Sequence, residues 1–292
     1  DTGSKAMRFL SYMQAGKKGL AIRVGDQLKG LTEVEENYPG HLEQLLQQGG
    51  DALINAAQVL KQGNAINLDQ VEQLPPLSQP PKIICVGLNY ADHTKESPYE
   101  QPDYPTLFSR FNSSLIANGQ PIKRPLCSEQ LDYEGELVAI IGKRGRHIAK
   151  EDALDYVAGY SIFNDASIRD YQFKAPQWTV GKNFDDTGAF GPEFVTADEL
   201  PEGAKGLLLT TRLNGKVVQQ ANTSDMLFDI ETLISTISEA ITLEPGDLIV
   251  SGTPAGVGLG HKPPLWMKQG DVCEVEIEKI GILRSPIANE SK

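Results

Sequence analysis

The sequence predicts a β-rich α+β fold, and three observations carry that prediction. Most apolar runs are short and end at Gly, Pro, Asn or Asp, as strands do. Asn214-Gly215 joins two such runs, and Asn-Gly supplies the positive φ angles that a two-residue hairpin turn needs. One stretch of the larger part, 226–241, carries helical apolar spacing instead, with Met226, Leu227, Ile230, Leu233, Ile234 and Ile237 as its buried stripe.

Taken in order, residues 7–74 are light in texture. Strands are expected over 9–12 and 19–24, and amphipathic helices over 41–48 and 51–62, each broken by Gly. The Pro-rich stretch 74–81 cannot be regular helix. It marks the expected boundary between a small N-terminal α/β domain (7–74) and a catalytic domain (82–292), with 75–81 as linker. The larger part opens on a buried strand, 82–87, followed by strands over 137–141, 157–164, 207–213 and 216–219. Pro245-Gly246-Asp247 turns the chain into a strand over 248–251, and a glycine-rich loop, 252–258, follows. Residues 1–6 read as a non-native leader, with the native start at Met7.

Composition narrows the function classes. Of 292 residues, 40% are hydrophobic and 23% charged, an ordinary globular balance. Acidic residues outnumber basic ones by 39 to 27, and the net charge of −12 opposes a polyanionic partner such as nucleic acid. No apolar run approaches the roughly 18 residues of a membrane span, and no secretory leader is visible. Cys85, Cys127 and Cys273 lack metal or disulfide spacing, so buried thiols in a reducing compartment are expected. The expected location is cytoplasmic, or the mitochondrial matrix if a transit peptide has been removed.

Chemistry concentrates in a few segments. Glu134 and Glu136 precede the apolar run 137–141, and side chains two apart on a strand share a face. Paired carboxylates at the mouth of a core need a proton or a cation, although an isolated Glu-x-Glu is more often the wet face of an edge strand. Asp165 ends the run 157–164; it can cap the following turn, or face the two glutamates and complete an oxygen cage suited to Mg²⁺ or Mn²⁺. Arg169, Gln172 and Lys182 read singly as surface groups, or together as anchors for the carboxylate and keto oxygens of a small acid. His93 and Glu96, three apart, share one face of a helical turn, where the carboxylate would orient the imidazole as a general base. The plainer alternative is a polar loop ended by Ser97-Pro98. The loop 252–258 can cradle an anion with its amides and Thr253, but it matches neither a Walker A nor a dinucleotide fingerprint.

In combination these segments resemble the fumarylacetoacetate hydrolase family, in its shorter, domain-containing branch. The resemblance runs from about Ile83 to Ile287 and rests on five ordered blocks: Cys85–His93, Asp132–Leu137, Asn164–Gln172, Gly181-Lys182 and Ser251–Gly258. It implies a mixed β-sandwich roll behind a small N-terminal domain, a homodimer, and one Mg²⁺ or Mn²⁺ per subunit. It also implies that Glu134, Glu136 and Asp165 are metal ligands, that Lys182, Arg169, Gln172 and Thr253 bind a small 2-oxo acid, and that His93 with Glu96 is a base and its orienter on a lid. Longer family members carry a further ligand Asp about where Asn89 lies, so a wetter, weaker metal site is expected here. The implied reaction is hydrolysis of a carbon–carbon bond in acylpyruvate-type 2,4-dioxo acids through a stabilised enolate, with His93 activating the water. Alternatives are oxaloacetate keto–enol tautomerisation or decarboxylation, hydrolysis of 2,4-diketo-3-deoxy sugar acids, and a silent small-acid binder.

Overall fold

A computed structural model describes residues 6–292 of the chain, so all but the last residue of the supposed leader lies outside it. Strand Gly135–Ile141 is buried along its whole length. A strand covered on both faces carries apolar side chains in both alternating sets. Leu137, Ala139 and Ile141 enter a core with Ile162, Leu209, Val275 and the stripe of helix Ile230–Ala240. Val138 and Ile140 enter a second core with Phe163, Phe190, Leu248, Phe9, Leu20, Leu42 and Leu60.

The main sheet runs, in spatial order, Asn64–Ile66, Gln27–Thr32, Lys17–Val24, Arg8–Gln14, Gly188–Thr196, Val157–Asp165, Gly135–Ile141, Leu248–Val250, Ile83–Gly87 and Thr106–Ser109. A second sheet runs Lys216–Asn222, Leu208–Leu213, Val272–Ile277, Gly281–Asn289 and Ile122–Arg124. Both sheets are mixed, and the second closes over the first as a sandwich roll with few helices. They meet tightly at Gly135, where a Cβ would stand 2.4 Å from Thr211 Oγ1.

Residues 7–74 carry only a small cluster of their own, Leu10, Tyr12, Ala21 and Leu28, and share the larger one with the rest of the chain. Arg8–Gln14 pairs with Gly188–Thr196, Phe9 opposite Phe194, and the second core joins both sides of the Pro-rich stretch. The two expected helices span Leu42–Gln48 and Ala52–Leu60. The later helix begins at Ile230, four residues after the start of the predicted stripe, because the Asp229 side chain accepts from Thr232 N at 2.9 Å and caps it. Leu227 is left outside the helix and half-exposed. Cys85 and Cys273 are buried, but Cys127 is exposed, contrary to the expectation for all three thiols. Among the described residues no helix is long and apolar enough to cross a membrane.

Candidate active site

Strand pairing brings the acidic residues together. Glu134 and Glu136 continue the face of Val138 and Ile140, and Asp165 continues that of Phe163, which pairs directly with Glu136. The Asp165 amide donates to Glu134 O at 2.9 Å, and the Glu134 amide to Asn164 Oδ1 at 3.0 Å, which fixes the strand ends. Glu134, Glu136 and Asp165 are all buried and each offers an oxygen within 4.8 Å of the others. With an effective dielectric of ~20, each like-charged pair inside 4.8 Å costs at least about 3.5 kcal/mol, so the cluster demands compensation.

Three cations supply part of it. Lys182 Nζ donates to both carboxylate oxygens of Glu134 at 3.2 Å and to Asp165 Oδ2 at 3.1 Å. Arg169 donates from Nε to Asp132 Oδ2 at 2.8 Å and from Nη1 to Gln172 Oε1 at 2.9 Å, and its Nη2 pairs with Glu134 at 2.8 Å. Arg110, fully covered, donates to Asp165 Oδ1 at 2.6 Å and to Thr187 Oγ1 at 2.8 Å. Burial opposes the charge on Glu134, yet Lys182 and Arg169 outweigh it and hold the carboxyl well below its usual range. Burial likewise opposes the Lys182 ammonium, and Asp165 and Glu134 more than offset it, so its pKa rises. Glu136 goes the other way: burial, then Asp165 and Glu134, push its carboxyl well above the ordinary value.

Asp132, Glu134, Glu136 and Asp165 thus face Arg110, Arg169 and Lys182, which leaves one negative charge over among these groups. A hard divalent ion suits this donor set, which is all carboxylate oxygen. Asn89 offers no further ligand. Its side chain donates to Ser251 O and Phe228 O and accepts from Phe228 N, so it ties two loops together.

His93 and Glu96 lie on a short helix, Ala91–Glu96, with His93 Nδ1 2.9 Å from Glu96 Oε1. A carboxylate only accepts, so Nδ1 carries the proton and Nε2 is left as the basic nitrogen. This helix faces the acidic cluster across a cleft lined also by Arg169, Gln172, Lys182 and Thr253. Its outer wall is apolar: Leu88, Phe108, Tyr99 and Trp178, the indole N–H donating to Tyr99 OH at 3.0 Å. Every site residue expected from the sequence therefore borders one cleft or its acidic floor.

The glycine loop departs from expectation. Its amides do not stand open to an anion, because the protein's own carboxylates take them. Gly252 N donates to Glu136, Gly256 N and Val257 N to Glu96, and Gly258 N and Leu259 N to Asp132. Thr253 Oγ1 donates to Gly135 O and accepts from Gln219 Nε2, so its hydroxyl first of all braces the loop. Arg110, Asp132 and Gln219 were given no role from the sequence. Asp132 stood inside a motif already singled out; Arg110 and Gln219 carried no local signal.

Residues 82–288 match the model of the fumarylacetoacetate (FAA) hydrolase C-terminal domain. The chain belongs to the fumarylacetoacetate hydrolase family. Rat "oxaloacetate tautomerase Fahd2a, mitochondrial" is 40% identical over 274 residues, covering 93% of this chain and 87% of that protein. Among solved structures, a fumarylacetoacetate hydrolase from Exiguobacterium antarcticum superposes with a TM-score of 0.84 at 36% identity, covering 97% of this chain and 100% of that one. A maleylpyruvate hydrolase from Sphingobium sp. SYK-6, solved with manganese(II) and pyruvate, gives 0.78 at 28% identity, covering 98% and 100%.

Proposed function

We propose that the protein is a divalent-metal-dependent enzyme of 2-oxo acids whose principal reaction is the keto–enol tautomerisation of oxaloacetate. The observation that carries this reading is the His93–Glu96 pair, set across a small cleft from the buried carboxylate cluster, in a chain similar over nine-tenths of its length to oxaloacetate tautomerases. This puts the tautomerase ahead of the acylpyruvate hydrolase first expected from the sequence.

Glu134, Glu136 and Asp165 would hold the ion, which would supply Lewis-acid polarisation of a 2-oxo acid. Arg169 and Gln172 hold the substrate carboxylate, Arg169 being fixed by Asp132 so that its fork is preset. His93 Nε2 takes a proton from C3 of the keto form and returns it to the 2-oxygen, which leaves the imidazole as it began; the reverse sequence returns the keto form, with no net gain or loss of atoms. Lys182 meets the negative charge that builds at the 2-oxygen between these transfers. Glu96 keeps the imidazole in the required tautomer, and the apolar wall of Leu88, Phe108 and Trp178 limits water around the exposed carbanion.

That same wall favours a second reading. A neutral acyl tail fits it better than a carboxylate does, which suits carbon–carbon hydrolysis of acylpyruvates with His93 activating a water. A panel assay separates the two. With Mg²⁺ or Mn²⁺, the enol absorbance of oxaloacetate is expected to relax faster than without protein, at constant total oxaloacetate. Pyruvate release from acylpyruvates without any effect on the enol band would replace the first reading by the second. Loss of total oxaloacetate would indicate decarboxylation, and no effect on any of these acids would leave a silent binder.

A further inference from the structure

Four consecutive amides of the glycine loop grip two carboxylates that belong to different parts of the site. Gly256 N reaches both Glu96 oxygens at 3.1 Å and Val257 N reaches Glu96 Oε1 at 3.3 Å. The next two, Gly258 N and Leu259 N, reach Asp132 Oδ1 at 2.7 Å and Oδ2 at 2.9 Å. Glu96 holds His93 from helix Ala91–Glu96, taken here as the lid, and Asp132 holds Arg169 by its Nε at 2.8 Å. The contacts have no slack: a Cβ at Gly258 would lie 1.9 Å from Leu265 O and 2.7 Å from Asp132 Oδ1, and one at Gly260 2.6 Å from Glu96 Oε2. Tyr133 OH donates to Gly256 O at 2.7 Å and pins the middle of the loop from the residue next to Asp132.

We infer that Asp132 is a positioning residue that couples the substrate arm to the lid through the backbone of 256–259. The peptide units that satisfy Asp132 and those that satisfy Glu96 are adjacent, so neither carboxylate moves without turning amides away from the other. Seating Arg169 on a substrate carboxylate therefore favours the docked lid, and docking the lid favours the seated arm, since such a coupling is reciprocal. The kinetic part rests on the proposed binding of the substrate carboxylate by Arg169; the coupling itself does not.

The test is D132N, which keeps the volume and removes the charge and one acceptor. Amide hydrogen exchange over 91–96 is expected to rise about tenfold, the scale of one lost charge-assisted hydrogen bond, while helix Ile230–Ala240 stays unchanged. KM for oxaloacetate should rise as the arm loosens, kcat should fall as His93 loses its seat, and D132E should restore part of both. Unchanged exchange over 91–96, or an equal rise in helix Ile230–Ala240, overturns the inference. If D132N does not fold, E96Q serves: faster exchange at Gly258 and Leu259 supports the coupling, and unchanged exchange there overturns it. If the wild type turns over no 2-oxo acid while the exchange results hold, the functional reading fails and the coupling stands.

Discussion

Lys182 and Arg169 both reach Glu134, and Lys182 and Arg110 both reach Asp165, whereas Glu136 is served by the Gly252 amide and faces Asp165. Burial, Asp165 and Glu134 push the Glu136 carboxyl well above the usual range, so it is the carboxylate of the cluster for which a proton competes most strongly. A divalent ion bound there would compete with that proton, so its affinity is expected to rise with pH, with a proton released on binding. Titration calorimetry in two buffers of different ionisation enthalpy reads that proton; identical heats would contradict it. Arg110 governs a different quantity. Arg110→Met leaves Asp165 Oδ1 without its partner in a fully covered place, and a loss of about 3–5 kcal/mol in denaturant unfolding is expected. A loss below about 1 kcal/mol would mean that Lys182 alone balances Asp165. Glu134, Glu136 and Asp165 were legible because period-two alternation and a strand end place them. Arg110 was not, because it is buried only through the pairing of Thr106–Ser109 with Ile83–Gly87, which local sequence does not reveal.

At the scale of elements, the short segments beside the floor are set by close backbone approach. A Cβ on Gly181 would lie 2.3 Å from Gln172 N, so this glycine lets the turn carrying Lys182 pack on helix Arg169–Gln172. Gly181→Ala is expected to lower kcat at least about tenfold by separating Lys182 from Gln172, with unfolding changed far less. Steady-state kinetics beside a melting curve checks this, and full activity would show that the turn yields without cost. The elements missed from the sequence have physical reasons. Gly188–Thr196 holds Gly191-Pro192, a dipeptide that weakens any strand signal, yet it is an interior strand whose pairing shifts register between Tyr160, opposite Val195, and Ile162, opposite Gly191. Val272–Ile277 alternates buried and half-buried residues, but Glu274 and Glu276 on its outer face disguise a strand held by both neighbours. The glycine loop was located correctly, while its use was not: sequence shows that amides are available, and only the fold shows which carboxylates arrive to take them.

Across the whole molecule, one core cluster joins residues from both sides of the Pro-rich stretch. Removing residues 1–81 uncovers Val138, Ile140, Phe163, Phe190 and Leu248, the face that leads into the acidic cluster. The 82–292 fragment is therefore expected to aggregate or lose its cooperative melt, as seen by size exclusion and circular dichroism. A monodisperse fragment with the full-length melting temperature would instead make the first part a separable domain. The family's sandwich roll holds a polar floor at the end of two doubly covered strands, where burial makes charge costly and a bound cation most effective. The most direct measurement is the rate of oxaloacetate enol relaxation by EDTA-treated protein before and after Mg²⁺, for wild type and Glu136→Gln. The account predicts a low rate for stripped wild type, a rise of at least about a hundredfold on adding Mg²⁺, and no such rise in the variant. A stripped wild type as fast as the loaded one, or a variant that recovers fully with Mg²⁺, would contradict it.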